Sequence, residues 1–189
     1  MESALIVSSA DKGTAYFTDM LNAASVGQVT AAQTCAQARR LLLERDFDLV
    51  IINAPLRDES GESLARYIAS KSSSQVMLVV KSEYYDAVSA ACEHDGVLTI
   101  SKPTNKTIFW SALMLAKSAG NRLKQMQTEN ERLKQKIDDI RIVDRAKCIL
   151  ISHMSMSEQE AHRYLEKQAM DMRTTKRAIA EGILKTYEY

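Results

Sequence analysis

Residues Leu49–Gly61 read LVIINAPLRDESG: four apolar residues running into Asn53, then Pro55 and an acidic loop that ends at Gly61. A short β-branched run bounded in this way has the pattern of a strand buried on both faces. Outward from it the same unit recurs. Upstream lie ALIV (Ala4–Val7) and QVTAA (Gln28–Ala32), and downstream VMLVV (Val76–Val80) and VLTI (Val97–Ile100). Helical segments are expected between them at 11–24, 34–44, about 62–69 and about 84–93. In the second of these, Ala36, Leu41, Leu42 and Leu43 are expected to face inward, with Arg39, Arg40 and Glu44 left to solvent. Five short strands alternating with helices define an α/β fold, an open five-stranded parallel sheet covered on both faces. Ligands of such sheets sit at the carboxyl ends of the strands, near the switch in strand order, so those ends are the positions to inspect.

The chain has 189 residues, enough for one ordinary domain and a smaller second one. Its 25 Lys plus Arg against 24 Asp plus Glu give a net charge of +1, so any contact with nucleic acid must come from a local patch. Cys35, Cys92 and Cys148 are spread out and unpaired in spacing, which fits three small core residues in a reducing cytoplasm, and His94, His153 and His162 show no metal-binding spacing. The start MESALIVSSA has no basic region before its apolar run, and no stretch is apolar enough to span a bilayer, so a cytoplasmic protein is expected. No nucleophile, base and orienting group can be assembled, which argues against an enzyme, and no cofactor or metal is implied.

The order and length of these elements resemble the receiver domain of two-component response regulators over about residues 1–117. That resemblance implies an acidic pair after the first strand to hold Mg²⁺, and a nucleophilic aspartate ending the third. This chain has Ser8 and Ser9 in the first place and Asn53 in the second. The small hydroxyl residue ending the fourth strand aligns with Val80 or Lys81, and Lys102-Pro103 is retained. Asp11, Asp58 and Glu59 read as solvated loop acids, and Lys102 as a donor to strand-end carbonyls or to Asn53. The domain therefore reads as a pseudo-receiver, kept for its shape and surfaces, with a regulatory protein or a small ligand in place of phosphorylation.

After Pro103 no proline follows, so a helix beginning near Asn105 or Lys106 can run on. Leu123, Met126, Asn130, Leu133, Ile137 and Ile140 alternate by three and four residues, the a/d seam of a coiled coil. Ala116 and Ala119 continue the frame upstream, Gly120 marks a weak point, and Asp144 ends the seam. Asn130 at an a position favours two parallel strands in fixed register, hence a homodimer.

The last segment begins a helix at the capping box Ser157 and Glu160, with Ala161, Tyr164, Leu165 and Ala169 inward. A turn at 171–174 leads to a helix started by Thr174 or Thr175, with Ala178, Ile179, Ile183 and Leu184 inward. Met154, Met156, Met170 and Met172 are expected to fill the bundle core. Arg145-Ala146-Lys147, Ile149-Leu150, Glu160-Ala161, Gln168-Ala169-Met170-Asp171 and Ile183-Leu184 are similar in spacing to the ANTAR domain, the RNA-binding module of bacterial transcription antiterminators. Ser155 stands where that family often has Gly, and His162 where it often has Tyr. Arg173, Thr174, Lys176 and Arg177 gather where free N–H groups and the helix dipole favour a phosphate, with Lys147, Arg163 and Lys167 as possible extensions.

The expected organisation is a pseudo-receiver (1–117), a dimerisation helix (118–145) and a three-helix ANTAR bundle (146–189). The resemblance implies a dimeric antiterminator on paired stem-loops in an mRNA leader, within a two-component system. Rival readings are a DNA-binding helix-turn-helix regulator and a protein-only adaptor.

Overall fold

A computed structural model describes residues 1–187. A five-stranded sheet is built from β1 (Ser3–Ser8), β2 (Gln28–Ala32), β3 (Leu49–Asn53), β4 (Gln75–Lys81) and β5 (Leu98–Lys102). All four neighbouring pairs are parallel, in the order β2-β1-β3-β4-β5. The strands read as apolar runs because both faces are covered. On one face Leu5, Val7, Val50, Ile52, Leu78 and Val80 pack under α2 (Cys35–Glu44), α3 (Glu62–Lys71) and α4 (Tyr85–Cys92). On the other, Ala4, Ile6, Leu49, Ile51, Met77 and Val79 meet α1 (Asp11–Ala23) and the first part of α5 (Lys106–Met154).

Local chemistry sets the helix ends. Thr34 caps α2 by accepting the Gln37 N–H at 3.1 Å, and Asn105 caps α5 by accepting the Ile108 N–H at 2.8 Å. Gly61 enters α3 at φ +90°, where a Cβ would lie 2.9 Å from the Ile52 side chain. Only glycine fits there without strain.

By contacts the chain divides into two units, 1–125 and 126–189. Residues 118–125 fall with the sheet: α5 runs unbroken through Gly120, whose missing side chain lets the helix approach Gln75, and Lys124 pairs with Asp48 at 2.7 Å. Gly120 is thus a close-approach position as well as a residue of low helix propensity. Ala116 is buried in the sheet's core, so the a/d frame does not continue outward upstream.

The second unit is a bundle of the end of α5, α6 (Glu158–Asp171) and α7 (Lys176–Tyr187) around Ala146, Leu150, Ala161, Leu165 and Ala180. The capping box at Ser157 forms in both directions: Glu160 N–H donates to Ser157 Oγ at 3.3 Å, and Ser157 N–H to Glu160 Oε2 at 2.8 Å. The α6–α7 turn closes when Thr174 N–H donates to Ala169 O and Arg173 N–H to Met170 O, with Arg173 left-handed at φ 50°. That is the Schellman arrangement with arginine where glycine is usual. Thr175 caps α7, accepting the Ala178 N–H at 3.2 Å.

Several expected core positions lie outside. Leu43 is 83 % exposed and Ala36 is exposed, because the inward stripe of α2 is Cys35, Ala38, Leu41 and Leu42. Ala178 gives way to Ala180 for the same reason of helix phase. Of the four methionines only Met156 joins the bundle core; Met154, Met170 and Met172 sit at helix ends and are exposed. Cys148 is also exposed. The last two positions of the expected 146–189 domain lie outside the described residues.

Candidate nucleic-acid interface and receiver site

The carboxyl ends of β1 and β3 bring Ser8 and Asn53 side by side in register. Asn53 Nδ2 donates to Ser8 Oγ at 2.9 Å, and buried Ser8 in turn donates to the Ala10 carbonyl at 3.1 Å. Gly13, in the first turn of α1, is seated on the pair: a Cβ there would lie 2.4 Å from Asn53 Nδ2 and 2.8 Å from Ser8 Oγ. Ser9 Oγ accepts the Arg57 N–H at 2.9 Å and donates to the Gln33 carbonyl at 3.1 Å, tying two loops together. Lys102 Nζ donates to the Ala54 carbonyl, one of the two partners its position suggested. Its ammonium is held below the usual lysine range, first by burial and then by neighbouring Lys81. Val80 is in the core. Ser8, Ser9 and Asn53 thus bring neutral donors and acceptors, and Lys102 one ammonium, to a corner that holds the strand ends together. None offers a carboxylate to a hard cation or to phosphorus.

The nearby acids have other work. Asp58 accepts the N–H groups of Cys35 and Ala36, both at 3.0 Å, at the start of α2, and Glu59 binds Arg39 at 2.9 Å. Cys35, Asp58 and Glu59 form a cluster of potential metal ligands. Burial first, then the two acids, push the Cys35 thiol up to about 11, so it is protonated at neutral pH and a poor ligand.

In the second unit α5, α6 and α7 surround a groove of about 500 Å³. Three of the expected RNA-binding residues line it, Lys147, Lys176 and Arg177, together with Thr175, His162, Asp139 and Gln135. Each cation has acid partners. Lys147 pairs with Asp144 at 2.8 Å and Glu158 at 3.1 Å, and Arg177 with Asp139 at 2.6 Å and Glu181 at 2.8 Å. Lys176 lies 3.1 Å from Glu166, which also approaches His162. The cations at the start of α7 thus have anions supplied by the protein itself, which offsets their unfavourable position on the helix dipole.

The Lys176–Glu166 pair is nearly half exposed, whereas the Arg177 side chain is about one-third exposed and that of Lys147 is mostly buried. Of the three cations, Lys176 is the one from which an incoming phosphate would displace a carboxylate most easily. Arg163, Lys167, Arg173 and Thr174 do not line the groove; Arg163, Lys167 and Arg173 are exposed, and Thr174 borders a shallower depression with Glu166, Met170 and Lys176. Sequence reasoning missed Gln135, Asp139 and Val143. A signal existed: with Lys147 they recur every four residues, one stripe of α5.

On the same helix Met126, Asn130, Leu133, Ile137 and Ile140 stand exposed, Leu133 by 49 % and Ile137 by 51 %. Leu123, nearer the sheet, is 37 % exposed. Ile140 also borders the groove.

A family model described as the ANTAR domain matches residues 131–184, which span the groove and the bundle. This part of the chain is an ANTAR domain. Transcriptional regulatory protein PdtaR of Mycobacterium tuberculosis is 28 % identical over 139 residues, covering 74 % of this chain and 68 % of that protein. The sheet is similar to the signal receiver domain of an HD domain-containing protein from Pseudomonas fluorescens, with a TM-score of 0.59 and 23 % identity over 66 % of this chain and 92 % of that one. A response regulator receiver domain from Clostridium thermocellum matches with a TM-score of 0.58 at 18 % identity, over 67 % of this chain and 99 % of that one. These likenesses show the receiver fold, which the chain carries ahead of its bundle. Among the described residues no helix is long and apolar enough to cross a membrane.

Proposed function

We propose that the protein is a dimeric RNA-binding transcription antiterminator of the cytoplasm, without enzymatic activity, whose bundles hold paired stem-loops in an mRNA leader. The observation that carries this is the groove of the ANTAR unit, where Lys147, Lys176 and Arg177 converge beside the start of α7. RNA phosphates would displace Glu166, Asp139 and Glu158 from these cations, with the Arg177 fork suited to bidentate phosphate binding. Arg173, Thr174, Arg163 and Lys167 would widen the patch toward a second phosphate track. The seam from Leu123 to Ile140 supports a parallel homodimer, with Asn130 fixing register. Asn53, Ser8 and Ser9 support control without phosphorylation, by a partner or ligand on the receiver, in place of the usual input of a two-component system.

The test titrates the full chain against a paired-hairpin RNA and a DNA duplex of similar length, beside a Lys176→Ala/Arg177→Ala variant. Preferential RNA binding that the variant loses is expected. Equal or stronger DNA binding would overturn the reading in favour of a helix-turn-helix regulator, and no binding to either would favour a protein-only adaptor.

A further inference from the structure

The receiver unit contains a hollow of about 300 Å³ beside its strand ends, walled by Pro55, Leu78, Val80, Ala87 and Val88, with Tyr84 on its rim. It opens at the carboxyl ends of β3 and β4, where sheets of this type hold ligands, and its size is at the lower end for small-molecule sites. Its polar groups are few and stand at the edge: Lys81, Glu62 and Ser60.

The charges around it are arranged in a particular way. Lys81 and Lys102 are direct cross-strand neighbours at the ends of β4 and β5, and like charges so placed repel. Lys102 is turned inward onto the carbonyl of Ala54, itself a wall residue, whereas Lys81 is exposed at the mouth with Glu83 at 3.4 Å. Behind the wall, Thr99 pairs in register with Leu78 and carries a buried hydroxyl that makes no hydrogen bond in the protein. A cation at the mouth of an apolar hollow matches a molecule with one negative head and an apolar body. Glu62, which also lines the hollow, disfavours a dianion such as phosphate.

We propose that this hollow binds a small monocarboxylate with a branched or aromatic body. The body packs on Leu78, Val80 and Val88, the Tyr84 ring covers it, and the carboxylate meets Lys81. The proposal rests on the reading that the receiver takes its input without phosphorylation, and names the chemistry of that input.

The experiment titrates hydrocinnamate into the full-length protein with labelled Leu, Val and Ala methyl groups, followed by NMR, with hydrocinnamamide and inorganic phosphate as comparisons. Saturable shifts centred on Leu78, Val80 and Val88 are expected. Binding should weaken roughly tenfold for the amide and for Lys81→Ala, the loss of one charge-assisted hydrogen bond. Ala87→Phe, at an exposed position that lines the hollow, should abolish it while the remaining spectrum stays native. The proposal is overturned by absence of saturable shifts at millimolar probe, by equal binding of acid and amide, or by undiminished binding in Ala87→Phe. RNA titration of the same samples separates the two readings: RNA binding without methyl shifts overturns only this site, and methyl shifts without RNA binding overturn only the RNA-binding reading.

Discussion

At the scale of single residues, the corner of Ser8, Ser9 and Asn53 is built from neutral side chains that hydrogen-bond to one another and to nearby backbone. An aspartate at position 53 would restore the nucleophile without the carboxylates that hold its metal, and Gly13 would still be seated against it. Asn53→Asp is therefore expected to give no phosphoryl adduct when incubated with acetyl phosphate and Mg²⁺, by intact mass; an adduct on residue 53 would show that the corner retains phosphotransfer. Ser155 follows α5 in the left-handed region at φ 51°, which costs a residue with a Cβ about 1–2 kcal/mol. Ser155→Gly should raise stability by about 1 kcal/mol after the larger entropy loss of glycine is subtracted, read as a higher midpoint in urea. Arg173 is in the same conformation at φ 50°, so a glycine there should stabilise similarly while removing a cation beside the groove.

At the scale of elements, α5 is where pattern and environment part. The three-and-four spacing extends formally from Ala116 to Ile140, yet Ala116 is in the sheet's core while Leu133 and Ile137 are half exposed. Spacing identifies an apolar face but not what covers it, because the sheet of the same chain competes for the first turns. Leu133→Asp/Ile137→Asp should leave helix content and melting of the receiver unchanged, and sedimentation should report a monomer. A dimer that survives these charges would place the association elsewhere. The same limit explains α2 and α7, where counting apolar residues put Leu43 and Ala178 inside. One residue is a rotation of about 100° on a helix, enough to move a side chain from core to solvent.

At the scale of the whole molecule, a net charge of +1 gives no long-range field, so RNA affinity should depend on the few cations of the groove. A steep but limited fall of affinity with salt is expected, shallower by about two counterions in Lys176→Ala/Arg177→Ala; a flat salt dependence would count against phosphate contacts. Acid should act on the bundle through its own pairs. Asp139 is held below the usual carboxylate range by Arg177 and then Gln135, Glu160 by the Ser157 amide and hydroxyl, and Glu166 by Lys176. Each binds its proton less readily folded than unfolded, so its contribution is present above the ordinary carboxylate value, roughly 4, and is lost as pH falls through the lowered one. Thermal melts should be flat from neutral to about pH 5 and decline below it, less steeply in Asp139→Asn/Glu166→Gln. The sequence by itself determined the parallel α/β sheet, the capping box at Ser157, the unbroken helix after Pro103 and the absence of carboxylates at positions 8, 9 and 53. These depend on local periodicity and on residue identity, which need no partner in space. Only the tertiary structure decided that Gly13 is seated on Asn53, that Gly120 packs on Gln75, and that Lys147, Lys176 and Arg177 share one groove with acids from other helices. Contacts between residues dozens of positions apart are set by how elements pack, and a linear pattern does not encode which helix supplies the opposite charge.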